Sequence, residues 1–433
     1  MSKKKVYVET WGCQLNYHRS EALTAELERS GYQPVSELGD ADLILFNTCA
    51  VRGRSEEKVK GRIGQIKEER KKGSLLGVGG CMAQHSGKEL LSDAAGVDFV
   101  FGTGNLTEVP KLAAQTRKGL SPVSTPSPAH FEDLTYNRNS DYFAWITIAD
   151  GCSNSCSYCI VPQVRGSLRS RPLEEVLEEV DELVQEGYKE IQLLGQNVNA
   201  YGKDLNESEA SFAHLLEQVD LLGPPRLSFT TPHPADLNEE TLEVLEDASN
   251  VVRHIHLPLQ SGSDKVLEIM NRNYMANDYL NLVNQIRAMD PLINITTDII
   301  VGHPGETEED FRQTLNLIRK VDFGSIYAAK FSPRPGTRSA KLEDQVPQKV
   351  KEERLEKLLT LQKNRVKDVN RNYIGEHSEV LVEGTARKNG NMYGKNEFYK
   401  TVVFDGGPDL VGQMVEVTIR DVEEGTLYAE RED

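Results

Sequence analysis

The chain has 433 residues and a formal net charge of −17, with 38% hydrophobic and 27% charged residues. That length allows two or three globular domains with real cores, and the acidity excludes a wholesale wrap around nucleic acid while leaving room for local basic patches. No run of about 18 apolar residues is present to cross a membrane. The start MSKKKVYVET lacks the apolar stretch of a secretory leader, so a cytoplasmic protein with reduced cysteines is expected.

Residues 4–10 predict a strand, 19–30 an amphipathic helix, 42–47 a buried strand, 55–72 a charged helix, and 75–79 and 98–101 two more strands. Alternation of this kind predicts a parallel α/β sheet domain over 1–118. Cys13, Cys49 and Cys81 are 36 and 32 residues apart, and each lies just past the end of a predicted strand. In a parallel sheet those ends share one edge, so three distant thiols can be brought together there. Asn47-Thr48 and Gly79-Gly80 precede two of them and are turn-like, letting backbone amides approach sulfur.

A polar stretch at 119–140 reads as a linker. A second series follows, with strands at 143–149, 189–194, 226–230, 252–257, 293–301 and 325–331. Helices intervene near 173–186, 209–221, 239–248, 277–289 and 308–320, and a basic helix follows at 347–372. This predicts a partial (β/α)6 barrel over 141–372, and such barrels carry their chemistry on loops at the strand C-termini. Short strands with Gly-rich turns over 373–433 predict a small antiparallel β-barrel of the oligonucleotide-binding kind. Within it, basic side chains between Arg387 and Lys400 interleave with aromatics. Arg387, Lys388, Lys395, Tyr399 and Lys400 are therefore candidate RNA contacts.

The loop after the first barrel strand reads GCSNSCSYC. Its Cys152, Cys156 and Cys159 offer three thiolates, one fewer than a closed tetrahedral site needs, so a cluster held there keeps one metal open to a small molecule. A disulfide scaffold does not suit a reduced compartment, and a structural zinc site would want a fourth Cys or His close by. His18, His85, His233, His254 and His256 are read as ordinary polar residues.

The compact triad resembles that of radical S-adenosylmethionine (SAM) enzymes. With the dispersed triad, the resemblance narrows to the radical SAM methylthiotransferases and covers essentially the whole chain. Its carriers are GCQLN at 12–16, NTCAVR at 47–52, GGCMAQ at 79–84, CSYCIVP at 156–162, HLPLQSGS at 256–263 and GETEEDF at 305–311. LLGQNVNAYG at 193–202 and SPRPGT at 332–337 look like the branch that modifies isopentenylated adenosine in tRNA. The resemblance implies two [4Fe–4S] clusters, an auxiliary one on Cys13, Cys49 and Cys81 and a radical SAM one on Cys152, Cys156 and Cys159. It implies SAM contacts from Tyr158, Gly195, Gln196, Asn197, Gly302 and Glu306, with Arg165, Arg169, Arg171 and Arg334 meeting RNA phosphate or substrate.

The C-terminal barrel then corresponds to a TRAM domain. The partners implied are the tRNA anticodon stem-loop and an electron donor such as flavodoxin or ferredoxin, with the chain acting as a monomer. The sequence departs from the family pattern at Gln163, Leu168, Asn273, Met275, His303 and Phe331, which bears on the base pocket rather than the cluster ligands. Competing readings are the same chemistry on threonylcarbamoylated adenosine or on a ribosomal protein, and a non-catalytic metal-binding RNA adaptor.

Overall fold

The computed structural model describes residues 3–50, 53–93, 96–126, 134–206, 210–387 and 390–432. The first unit is a parallel sheet of six strands: β1 (Lys4–Thr10), β2 (Tyr32–Pro34), β3 (Leu43–Thr48), β4 (Leu75–Gly80), β5 (Phe99–Phe101) and β6 (Val123–Ser124), in the order β2-β1-β3-β4-β5-β6. β3 is buried along its whole length, as an apolar run between helical layers should be. On β4, Gly77 and Gly79 make room for the Phe99 and Phe101 rings. A Cβ at either position would come within 2.3 Å or 2.0 Å of them. Both rings are fully buried, each worth about 1.5–3 kcal/mol.

Several boundaries differ from the sequence reading. The first helix runs Gln14–Arg29, five residues earlier than the apolar pattern indicates, because its first turns bury polar Asn16 and His18. A helix at Cys81–Asp93, kinked at Ser86, was not legible through its Gly and Ser content. β6 lies inside the stretch read as a linker. Further along that stretch, Tyr136 stacks on His18 with ring centroids 4.1 Å apart, and Arg138 pairs with Glu179 at 2.6 Å. These residues strap the first unit to the second.

The second unit begins with β7 (Phe143–Thr147) and a short hairpin of β8 (Ala149–Asp150) and β9 (Arg169–Ser170). It continues with β10 (Glu190–Leu194), β11 (Arg226–Phe229), β12 (His254–His256), β13 (Asn294–Val301) and β14 (Ser325–Lys330). Two parallel three-stranded sheets, β11-β10-β7 and β12-β13-β14, are joined through a Leu227–Val251 bridge. The result is a six-stranded arc, open between β7 and β14. Ala144, Ile146, Ile191, Leu193, Leu227 and Phe229 pack outward against helices. The alternate residues therefore face the lumen.

The third unit is a closed barrel of β15 (His377–Thr385), β16 (Met392–Asn396), β17 (Thr401–Phe404), β18 (Met414–Glu423) and β19 (Thr426–Arg431). β16 was missed in the sequence because MYGKN is short and polar. Its Gly394 crosses so close to β15 that a Cβ would lie 2.0 Å from the Leu381 carbonyl oxygen. Helix Gln348–Arg371 leads into this barrel. Among the described residues no helix is long and apolar enough to cross a membrane.

Candidate active site between two cysteine triads

Cys13, Cys49 and Cys81 follow β1, β3 and β4, three adjacent strands of the first sheet. Cys13 is the N-cap of its helix and Cys81 the first residue of another, positions where the helix dipole favours a thiolate. The loops are tightly determined. Gly80 has φ +86°, and a Cβ there would meet the Thr48 carbonyl oxygen at 2.4 Å; a Cβ on Gly12 would lie 2.8 Å from that of Cys49. Asn16 donates to the Trp11 and Thr48 carbonyls at 2.9 and 3.1 Å, while Asn47 donates to the Asn16 carbonyl at 2.8 Å. The NTC and GCQLN asparagines thus lace the strand ends together.

The second triad occupies the loop after β8. Gly151 must be glycine, with φ +79° and the Ser167 carbonyl oxygen 2.1 Å from a would-be Cβ. Arg272 donates to Cys156 Sγ at 3.5 Å, a charged contact of the kind that tunes cluster sulfurs. Burial raises the Cys152 thiol and pushes that of Cys159 up to about 12, so metal loading here releases protons. Among the described residues, no disulfide joins any of the six cysteines, and no three His, Cys, Asp or Glu side chains gather at single-ion distance. The thiolates of an iron–sulfur cube each bind a different iron, so they need no common point.

The dispersed triad meets, across a domain junction, the segment that follows the compact one. Cys81 packs with Ala50, Ile160 and Val164, the last two lying just after Cys159. Arg165 lies at this junction, against the dispersed triad. It pairs with Asp150 at 3.1 Å, donates to Asn16 Oδ1 at 2.8 Å and lies against Cys81. Burial works against its charge, but Cys81, Asp150 and Cys13 outweigh that and hold it protonated. Asp150 is also fully buried. Burial alone would raise its carboxyl, yet Arg165, Arg19 and Arg169 force it far below the ordinary range. The first unit also spans the open side of the arc. His18 bonds Thr147 at 2.8 Å on the β7 side, whereas Glu56 pairs with Arg334 at 3.2 Å and His85 bonds the Pro335 carbonyl at 3.3 Å beyond β14.

Residues 146–318 match the radical SAM superfamily, 5–102 the Uncharacterized protein family UPF0004, and 371–431 the TRAM domain. A relative from Carboxydothermus hydrogenoformans, named tRNA-2-methylthio-N(6)-dimethylallyladenosine synthase, is 44% identical, covering 99% of this chain and 98% of its own. A second of the same name, from Natranaerobius thermophilus, is 41% identical over 99% of this chain and 96% of its own.

The chain belongs to the radical SAM tRNA methylthiotransferases.

The fold is also that of a solved radical SAM methyltransferase, TsrM from Kitasatospora setae, at TM-score 0.58 and 16% identity, covering 78% of this chain and 74% of that one. The superfamily names SAM as the methylthiotransferase's cofactor, and the TsrM structure holds a [4Fe–4S] cluster and cobalamin.

Gly195, Gln196 and Asn197 follow β10 beside the compact triad. Cys152, Asn197, Lys203 and Asp236 line a 160 Å³ cavity there. Gln196 Oε1 and Asn197 Oδ1 are buried acceptors with no hydrogen-bond partner among the described residues, while Asn197 Nδ2 donates to Asp236 at 2.7 Å. Two orphaned acceptors and a lysine beside a reactive loop fit the amino and carboxylate groups of an amino-acid-bearing cofactor. Tyr158 is half-buried and stands edge-on to His303 at 6.4 Å. Glu306 is placed differently. One oxygen accepts from the Gly302 amide at 3.0 Å and the other from Arg354 at 2.6 Å. Gly302 (φ +73°) is required by Lys351, whose Cγ would lie 2.3 Å from a Cβ. Both residues shape their loop internally.

The arginines expected at RNA turn inward. Arg165 is 2% exposed. Arg169 pairs with Asp150 at 3.3 Å, Arg171 with Glu179 at 2.5 Å, and Arg334 with Glu56. Acidic partners on β8 and on neighbouring helices claim them before any phosphate could. In the TRAM barrel, Lys400 donates to Asn370 at 2.9 Å and Lys395 to Thr401 at 2.8 Å. Tyr399 hydrogen-bonds Glu190, Gln192 and Ser228 at the floor of the radical core. Arg387 alone of the described candidates is exposed without an internal ion pair, and Lys388 lies outside the described residues. Sequence reasoning missed Arg19, Asp150 and Arg272, which carry no motif of their own.

Proposed function

We propose that this enzyme installs a methylthio group on carbon 2 of an adenosine that carries an isopentenyl group and lies next to the tRNA anticodon. The observation that carries this is the packing of Cys81, from the dispersed triad, on Ile160 and Val164, which follow the compact triad, with Arg165 against Cys81. The names of the relatives supply the substrate. The reading assigns Cys152, Cys156 and Cys159 to the radical SAM cluster and Cys13, Cys49 and Cys81 to an auxiliary [4Fe–4S] cluster. Bound in these places, the pair would supply the electron that splits SAM and the sulfur that is transferred. Two SAM molecules would be needed per turnover, one to supply the methyl group and the other, cleaved by one electron, to supply the 5′-deoxyadenosyl radical that takes the hydrogen from carbon 2.

The chain's own residues do the rest. Asn197, Lys203 and Asp236 bind and orient the methionyl end of SAM, with Gly195 leaving space and Gln196 offering its free acceptor. Tyr158 and its partner His303 pack the loop and exclude water. Arg165 holds the helix after the compact triad against Asn16 and Cys81. Arg387 and Lys388 meet the RNA backbone, an electron donor delivers to the clusters, and the chain works as a monomer in the cytoplasm.

Nucleoside mass spectrometry of tRNA from a deletion strain, with and without the restored gene, tests the substrate. Loss of the methylthio mark on isopentenylated adenosine, and its return, is expected. Its persistence in the deletion strain would overturn the assignment. Anaerobic protein should carry about eight irons and eight sulfides per chain, as two cubes require; zinc in both places would favour the adaptor reading.

A further inference from the structure

The loop that carries the compact triad reaches solvent between two of its cysteines: Ser153 and Ser155 are exposed between Cys152 and Cys156. Two outer segments are laced to this loop. On one side the Ser339 amide donates to the Ser157 carbonyl at 2.8 Å, the Ser339 and Ser157 hydroxyls lie 2.7 Å apart, and the Arg338 guanidinium donates to the Ser155 carbonyl. On the other side Asn271 Nδ2 donates to the Ser155 carbonyl and hydroxyl at 3.1 and 2.8 Å, and the next residue, Arg272, reaches Cys156 Sγ. Ser339 is fully buried and anchors its segment, yet Arg338 and Lys341 on the same segment are exposed. Neither pairs with a carboxylate among the described residues. Residues 338–342 thus carry two positive charges and no acid, in a chain of net charge −17. The acids that follow, Glu343 and Asp344, belong to the next turn, where the Asp344 carbonyl accepts from the Gly305 amide at 2.9 Å. Leu342, next to Lys341, is 38% exposed, and Met275, at the end of the 271–275 turn, is 60% exposed.

We infer that this surface receives a small acidic protein that carries single electrons, and that the electron enters the compact triad through the Ser153–Ser155 stretch. The inference rests on the function proposed above for the need of an electron, but the place is argued from this chain alone. Docking makes and breaks no covalent bond: the reduced carrier loses one electron, and the site on Cys152, Cys156 and Cys159 gains it. The two outer segments touch the ligand loop directly, so a carrier seated on them lies against that loop. Most of an acidic chain repels an acidic partner. Charges farther off than about 8 Å are screened at physiological salt, so a local cationic pair decides where such a partner settles. Redox encounters are among the smallest specific interfaces, below about 1,200 Å², an extent that one loop and two short segments can supply. Leu342 and Met275 give the contact apolar tips beside the charges. An RNA strand fits less well, because no exposed residue of 153–155, 271–275 or 338–342 is an aromatic on which a base could stack.

The test uses the full chain, loaded anaerobically with iron and sulfide, and two reductants: dithionite, a small reagent, and a reduced flavodoxin, an acidic flavin protein. Stopped-flow absorbance reads the rate at which the iron–sulfur chromophore is reduced, with no RNA present. Arg338→Glu and Lys341→Glu are each expected to slow reduction by flavodoxin about tenfold at low salt, a loss that shrinks as salt rises. The dithionite rate and the iron content should stay unchanged. Arg338 also bonds the ligand loop, so Lys341→Glu, whose side chain bonds nothing among the described residues, is the cleaner variant. Unchanged flavodoxin rates in both variants, or an equal slowing of Lys341→Glu with dithionite, would overturn the docking surface. So would weaker binding of an anticodon stem-loop with flavodoxin reduction intact, which would give the patch to RNA. The outcome is separable from the broader reading. If the wild type methylthiolates tRNA and both variants are reduced at the wild-type rate, the surface falls and the function stands. If reduction depends on the two cations but no methylthio product forms, the surface stands and the function falls.

Discussion

Arg19 reaches from the first helix into the central unit and meets the buried Asp150 carboxylate at 2.7 Å, two residues before Cys152. Arg165 and Arg169 complete the set around the same acid. One carboxylate therefore ties the sheet domain, the cysteine loop and the helix after it. Asp150→Asn would leave three guanidiniums crowded together without the carboxylate they share. Breaking a buried pair in this way costs about 3–5 kcal/mol. The variant should unfold at clearly lower urea and lose iron from both triads together; an unchanged midpoint would contradict the hub.

The triads should be separable by function. Cys152→Ala is expected to form no 5′-deoxyadenosine, whereas Cys49→Ala should still cleave SAM yet transfer no sulfur. Chromatography of the SAM products and mass spectrometry of the RNA read both. Deoxyadenosine from the first variant, or full methylthio transfer by the second, would reverse the assignment.

Tyr399 and Arg387 should part company in RNA binding. Tyr399→Phe removes the hydroxyl that serves Glu190, Gln192 and Ser228. The loss should cost about 1–3 kcal/mol of stability, since buried groups are left unpaired, with RNA affinity unchanged. Arg387→Ala should leave stability alone, weaken RNA binding and reduce the salt slope by about one phosphate contact. Filter binding across a salt series decides, and the opposite pattern would restore Tyr399 to the RNA surface.

Acid should destabilise the fold from below neutrality. Burial lowers His18 well below 6.5, His233 and His254 to about 3, and His303 to about 4. All four are neutral in the folded chain at pH 6, while the unfolded chain takes up protons near 6.5. Stability is thus full above that value and declines as pH falls toward the folded-state values. His254→Gln should flatten the decline by about 1.4 kcal/mol per pH unit, the worth of one linked proton. Urea midpoints at pH 7.5 and 5.5 measure it, and parallel slopes for wild type and variant would refute it.

Strands carried by apolar runs, such as Leu43–Thr48 and Asn294–Val301, were legible in the sequence because burial dictates their composition. So was the helix Glu308–Val321, announced by the reciprocal cap of Thr307 and Asp310. The cysteines were legible through spacing and strand ends. The arginines were not. A sequence shows charge without its partner, and Asp150, Glu179 and Glu56 come from elements far from the arginines they hold or silent in any motif. Lys395, Tyr399 and Lys400 look like an RNA-binding string until the barrel's docking surface is seen to need them.

Tyr399 completes the floor of the central arc 209 residues after Glu190, the group it caps. During synthesis the catalytic core therefore stands with its base unsealed until the terminal barrel emerges, roughly ten to forty seconds at ordinary translation speeds of about 5–20 residues per second. Maturation of the radical centre is in this way tied to a barrel made after it, and a product truncated before Tyr399 would be born with a bottomless cup.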